Sequence, residues 1–544
     1  MSGPLLAVGA QLGAEVRTRL RSAGTVIAMA VILVGSTLWM PNPNGKTASI
    51  TWQIAGDVVY TPAYRAPYVG IATAILEAVF LLLVAFYLVA GSVRRDRETG
   101  VGAILAATPL GKGAYLAGKL AANAAYLALI AVLILAVGVG KFLAFGQGPL
   151  EPARFLVPWL FVSIPGTLFV AAMAVLFDVT PGLRGKAGLV IWFFASMFLL
   201  VGLPVLLSGG PGGSRRPIFD PTGLATLGGL VASSLPSDGH GVSMGLMFTD
   251  KPLVKVPWAG IELAAGAVAA RLASLLWAAL PFFLATLVFD RFDPARRLSR
   301  RLERRTAHET APSPEPALAI RGADEATGAE PAPLLHLSEL PSARPKPGPG
   351  AALLAETRLI WASTPLLRWP LLAASAAGGL LPGEAAAWAA AAFLVILVPV
   401  ISEAGAREAL AGAEALVFSQ PSVPRSAALW KTGSVALFLF ATSAPLLLRA
   451  AWSSAAQLVA LFTGLLFVAA FATGAALLTK GGKLFSGLYL ALWYAAVNKL
   501  PAADFCGIFG GGLGLGVRCA YLLTGAAFVG IAMLVERRHG AGRR

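Results

Sequence analysis

The chain has 544 residues, 57% hydrophobic and 13% charged, with a mean hydropathy of +0.74. A soluble domain carries about 25% charged residues, so this composition excludes an ordinary water-facing surface and requires lipid contact. The net charge of +16 lies between apolar runs rather than in one basic patch, which argues against a nucleic-acid partner.

In chain order, residues 4–20 read as an amphipathic interfacial helix. Leu5, Leu6, Leu12, Val16 and Leu20 lie on one face, with Glu15, Arg17 and Arg19 elsewhere. The run Ala23 to Met40 lacks a convincing cleavage site after it and reads as a retained first span. A span needs about 20 apolar residues. On that criterion the first half has spans near 23–40, 68–92, 117–140, 155–177, 187–208 and 265–289. The second half has them near 366–382, 385–402, 430–448, 455–478, 484–500 and 513–535, roughly twelve in all. The expected fold is therefore an all-α polytopic membrane protein in two six-helix halves, with interfacial and cytoplasmic helices.

Between spans, Arg94, Arg95, Arg97, Lys112, Arg184 and Lys186 fall on one side, as do the arginines from Arg291 to Arg305 and the tail. This bias predicts an inner-membrane protein with both termini cytoplasmic. The opposite side carries one long segment, Ser208 to Glu262, rich in Gly and Pro and read as an irregular cap. Its His240, Met244 and Met247 form at most a weak soft-metal pattern, since no further His or Cys stands nearby to complete a ligand set. Residues 301–350, with nine prolines from Pro312 to Pro349, read as a disordered cytoplasmic linker. The linker separates domains expected at 1–300 and 351–544. Two cysteines, Cys506 and Cys519, exclude a disulfide framework and read as buried free thiols.

The two halves look like divergent copies. Arg94 to Lys119 (RRDRETGVGAILAATPLGKGAYLAGK) matches Ala406 to Lys431 (AREALAGAEALVFSQPSVPRSAALWK). Both open on an Arg and a Glu, continue through a mixed apolar helix with Gly102 or Gly412, and set Pro109 or Pro421 before Lys119 or Lys431. Pairing Glu98 with Glu408 requires a two-residue insertion in the second copy. Each half also opens on a short amphipathic stretch, Ala351 to Trp361 in the second.

The Arg94 to Lys119 segment, with its basic start, short apolar helix and Thr108-Pro109, resembles the ABC type 2 exporter permeases. The resemblance covers the first half well and the second more weakly, where Phe418-Ser419-Gln420-Pro421 replaces Ala-Thr-Pro. It implies that cytoplasmic helices dock a separate ABC ATPase subunit, a dimer that carries ATP and Mg, while this chain binds no cofactor itself. The docking candidates are Arg94, Arg95, Arg97, Glu98, Thr108, Pro109 and Lys119, with Arg407, Glu408, Pro421 and Lys431 in the second copy. Glu98 suits the positive end of a helix dipole, and Pro109 ends the helix. Lys119 and Lys431 either contribute to docking or snorkel to the interface.

No P-loop is present. Gly45-Lys46-Thr47 lacks the glycine five residues earlier that would turn backbone amides onto phosphate. Polar residues in spans are costly and mark function. Glu77 is the clearest and is a translocation-path candidate. Asn123 and Asn498 are others, and Glu384, Glu403 and Glu414 lie near span ends. Two other readings remain open. An intramembrane lipid-linked transferase would need a carboxylate such as Asp57 or Asp220, and a secondary transporter would suit two similar halves.

Overall fold

The computed structural model describes residues 3–53, 58–204, 219–235, 242–249, 251–263, 265–292, 349–418, 427–510 and 514–541. The proline-rich linker, His240, Asp57 and Pro421 lie outside the described residues.

The first group of elements is α1 (Gly3–Leu20), α2 (Ala23–Trp39), β1 (Thr47–Thr51), β2 (Val59–Pro62), α3 (Ala66–Phe80) and α4 (Phe86–Val89). It continues with α5 (Ser92–Glu98), α6 (Val101–Ala107), α7 (Lys112–Phe145), α8 (Pro152–Val179), α9 (Lys186–Met197) and α10 (Leu224–Ser234). It closes with β3 (Ser243–Phe248), β4 (Leu253–Val256), α11 (Ala265–Ala273) and α12 (Leu275–Val288). The second group is α13 (Pro349–Ser363), α14 (Arg368–Leu380), α15 (Gly383–Ile401), α16 (Arg407–Leu410) and α17 (Glu414–Phe418). After it come α18 (Ala427–Thr442), α19 (Ala444–Ser453), α20 (Ala455–Thr479), α21 (Lys483–Val497) and α22 (Leu515–Ala541).

Among the described residues, seven helices are long and apolar enough to cross a membrane, or up to nine if two bent pairs each count once. The pairs are α1 with α2, bent by 72°, and α18 with α19, bent by 69°. This falls short of the twelve crossings expected from hydropathy. The expected runs near 187–208 and 484–500 form shorter apolar helices, Gly188–Gly202 and Lys483–Val497, and the run near 366–382 forms only the 13-residue α14. An apolar run sets composition, but the length of helix it builds depends on where prolines and glycines end it.

The expected irregular cap is partly ordered as sheet. β1 pairs antiparallel with β3, and β2 pairs parallel with β4. The segment after α2 and the segment before α11 thus clasp each other across some 190 residues of sequence. Ile50 faces Met244 in that register, and Thr51 donates to the Met247 sulfur at 3.7 Å. Both methionines are accounted for by strand packing, and no metal-ligand group of three or more His, Cys, Asp or Glu exists among the described residues.

The contacts recur in a pattern. α1 lies along α7, and α13 lies along α18; α8 packs on α12, and α20 packs on α22. The two groups meet where α21 contacts α4 and the π-helical turn Leu81–Ala85 between α3 and α4. Gly464 and Gly474 allow close approach within the second group. A Cβ there would lie 2.4 Å from the Phe505 carbonyl oxygen and 2.8 Å from Phe528, as small residues do in membrane helix packing. Cys506 is buried, but Cys519 is exposed on α22, so only one thiol is internal.

Apolar helices leave no water for a displaced backbone group, so each irregularity needs a partner. Pro165 in α8 has no N–H, which frees the carbonyl of Phe161 four residues earlier. Arg271 of α11 is buried and donates Nε to that carbonyl, with its other donors going to Val162 and to Asp220 and Pro221 before α10. The π turn is treated alike: the Trp192 indole donates to the Leu82 carbonyl at 2.9 Å while its ring stacks on Phe86. Replacing Arg271 with Leu should cost about 1–3 kcal/mol or more, because it strands a buried carbonyl. Thermal unfolding in detergent measures this, and an unchanged midpoint would remove Arg271 from that role.

Candidate functional site

The functional candidates concentrate at the end of α3 remote from the strands. There the chain leaves α4, turns at Gly91, and forms the hairpin α5–α6 before entering α7. Gly100 links α5 to α6 at φ 78°, a left-handed conformation that side chains with a Cβ rarely adopt. Gly412 does the same between α16 and α17 at φ 68°.

Lys119 sits two turns inside α7 with its side chain 1% exposed. An ammonium there requires counter-charge. It pairs with Glu15 of α1 and with Asp96 of α5, the latter at 2.7 Å, and donates to the Ser92 carbonyl at 3.3 Å. Tyr115 donates to Asp96 at 2.7 Å, and Arg95 reaches Glu15 at 2.5 Å. The sequence expectation that the lysine either docks a partner or snorkels is therefore corrected: it is an internal clamp that joins α1, α5 and α7.

The second group repeats the arrangement. Lys431 of α18, also 1% exposed, pairs with Glu408 of α16 and donates to the Ala404 carbonyl at 3.2 Å, again 27 residues back. Arg407 pairs at 2.7 Å with Glu356 of α13, the counterpart of α1. Lys431, Glu408, Arg407 and Gly412 each lie 312 positions after Lys119, Asp96, Arg95 and Gly100 (431 − 119, 408 − 96, 407 − 95, 412 − 100). The two-residue insertion disappears. Asp96, not Glu98, is the partner of Glu408.

Glu98 is the last residue of α5 and stands just ahead of Gly100, the N-cap of the apolar helix α6, and its 60% exposed side chain pairs with Arg94 at 3.4 Å. Arg97 pairs with Asp290 at 3.3 Å beyond α12, under the Phe292 ring. The Phe292 ring also covers Gly102, where a Cβ would lie 2.8 Å from it. Thr108 ends α6, and its carbonyl receives Arg291; Pro109 lies between α6 and α7 as expected of a terminator. Residues 290–292, just after α12, thus brace the α5–α6 hairpin.

The polar side of α1 divides: Arg17 is exposed, whereas two of its charges turn into the protein. Glu15 and Arg19 are buried, while Leu6 and Leu20 are exposed. Arg19 donates to the Asn123 side chain of α7 at 2.5 Å and lies over Tyr126. Outside the spans, burial raises the Glu15 carboxyl, but Lys119 and Arg95 outweigh it and hold it below the usual range. The Glu356 carboxyl is instead pushed up, burial outweighing Arg407 and Lys431.

Glu77 is fully buried between α3 and α8 and accepts from Ser163 at 2.6 Å. It lines a path only if that contact opens. Asn498 caps α21 and donates to the Tyr494 carbonyl, and Glu414 pairs with Lys480 at 3.2 Å. Glu384 opens α15, and Glu403 lies just beyond that helix. Asp220 accepts from the Gly223 and Thr226 amides and so caps the start of α10. Lys46 and Thr47 lead into β1, not into a helix as a P-loop requires.

Together these features define a multi-pass α-helical membrane protein. No family model, curated protein or solved structure matches the chain.

Because Glu15 is held below its ordinary value, its contribution is present above the unfolded carboxylate pKa and lost as pH falls through the folded one. Acidification should therefore lower the melting midpoint of the wild type more than that of Glu15→Gln. Lys119→Met should cost about 3–5 kcal/mol by leaving buried carboxylates unpaired, whereas Glu98→Gln should stay within about 0.5 kcal/mol. Equal midpoints for Lys119→Met and Glu98→Gln would contradict the clamp.

Proposed function

We propose that this chain is the permease of an ATP-driven exporter of the ABC type 2 class, with two permease halves, 1–300 and 351–544, joined through residues 301–350. The observation that carries the reading is the duplicated hairpin. Each is fixed at its root by a buried lysine and carries exposed apolar residues toward its tip. Ile104 of α6 is 69% exposed and Leu416 of α17 is 68% exposed, beside Val101 and Leu410. Such a tip is suited to transmit force. A rigid root carries a push into α7 or α18, and an apolar tip buries surface against a partner.

On this reading the partner is a separate ABC ATPase dimer holding ATP and Mg, and the hairpins face the cytoplasm with both termini. The positive-inside bias supports that orientation and an inner-membrane location. The shorter helices Gly188–Gly202, Arg368–Leu380 and Lys483–Val497 would complete twelve crossings. Of the docking candidates, Lys119, Lys431 and Glu408 fix the hairpins, together with Asp96, which lies outside that set. On this reading the candidates Glu98 and Thr108 meet the partner, along with the exposed Ile104 and Leu416 that the fold adds. Export, rather than import, follows the family resemblance.

Ile104→Glu and Leu416→Glu should leave folding intact and reduce transport-coupled ATP hydrolysis at least tenfold when the chain is reconstituted with its ATPase in liposomes. Transport that proceeds on an ion gradient without any ATPase would overturn the reading in favour of a secondary transporter.

A further inference from the structure

A cavity of about 360 Å³ lies between the two groups of helices, beside the roots of the hairpins. Its walls combine apolar residues such as Phe86 and Leu189 with the cations Arg19, Arg94 and Lys483. Three acids line it, Asp178, Glu98 and Glu403, and the first two have evident partners. Asp178 accepts from the backbone amides of Gly91 at 2.6 Å and Val93 at 3.1 Å, and Glu98 is held by Arg94. Lys480 is paired with Glu414, and Arg95 with Glu15.

Two independent observations point to a ligand. Arg19 is 8% exposed, and its Nη1 has no hydrogen-bond partner among the described residues, although the residue lines this cavity. A buried guanidinium donor left unpaired is costly and is ordinarily satisfied. Opposite it, the Gly481-Gly482-Lys483 sequence opens the 15-residue α21 against the cavity. The first amides of a helix have no intrahelical acceptors and favour an anion. Lys483 donates to the Ala90 carbonyl and also faces Asp178, and its ammonium has three donors in all.

We propose that this cavity binds a phosphate group, with Arg19, Arg94, Lys483 and the α21 amides as its donors. The apolar wall favours a phosphate that carries a hydrocarbon portion, as a lipid headgroup does. A soluble phosphate compound presents the same chemistry to the same donors. The site joins the two groups of helices, so its occupancy ties them together. This inference stands on the cavity and does not depend on an ATPase partner.

The test uses the full chain purified in detergent and native mass spectrometry with dioleoyl phosphatidic acid, dioleoyl phosphatidylcholine and inorganic phosphate as probes. Phosphatidic acid should bind at least tenfold more tightly than phosphatidylcholine. Lys483→Gln and Arg94→Gln should each weaken it about tenfold, the loss of one charge-assisted contact. Arg19→Gln should do the same, but Arg19 also holds Glu15 and Asn123, so the other two variants keep the result readable if it misfolds. Competition by inorganic phosphate assigns the site to soluble phosphates; failure to compete assigns it to the lipid. Equal binding of the two lipids, or affinity unchanged in both Lys483→Gln and Arg94→Gln, overturns the proposal.

Discussion

A lysine ammonium inside an apolar helix must find carboxylate, and that need organises both halves of this chain. Lys119 and Lys431 are each enclosed, and each draws an acid from the hairpin that precedes its helix. In the first group the lysine also reaches Glu15 of α1; in the second, Arg407 links the hairpin to Glu356 of α13. Three elements that hydropathy alone would leave free are thereby fixed to one another. Burying such clusters does not by itself add stability over an apolar core, but removing one member leaves the others uncompensated. The clusters therefore specify where α1 and α13 lie, and they make the hairpins rigid extensions of α7 and α18.

The same rule governs the remainder of the helical body. Where Pro165 or the π turn at Leu81–Ala85 breaks the backbone ladder, an Arg271 guanidinium or a Trp192 indole arrives from another helix. These are long-range contacts, and each ties an irregular helix to a neighbour at a defined height. The irregularities thus act as registration points between helices that otherwise share featureless apolar faces. They concentrate in the first group, which also carries the strand clasp and the cavity beside Arg19.

Much of the helix plan was legible in the sequence, because a run of apolar residues has few alternatives. The apolar helix ending at Pro109 was legible too, but not the separate α5 or the turn at Gly100 that makes the pair a hairpin. Nor was the hairpin's internal logic. Glu98 drew attention by pairing in sequence with Glu408, whereas Asp96 is the residue that meets the lysine. Only the fold shows which of two acids in one turn points inward. Glu15 and Arg19 were read as the polar face of an interfacial helix, since amphipathicity gives two faces without saying which meets protein and which meets lipid. Here Glu15 and Arg19 turn inward to charged and polar groups of α5 and α7, while Arg17 stays exposed. An offset of 312 that aligns Arg95, Asp96, Gly100, Pro109 and Lys119 with Arg407, Glu408, Gly412, Pro421 and Lys431 needs no insertion and was available in the sequence. The strand clasp was not, because β1 and β3 are short and separated by the eight helices α3 to α10.

The account rests on the two buried lysines acting as equivalent clamps. Double-mutant cycles on unfolding, Lys119→Met with Asp96→Asn and Lys431→Met with Glu408→Gln, measure this directly. The account predicts a coupling of about 0.5–3 kcal/mol in both cycles. Additive effects in either cycle would contradict it.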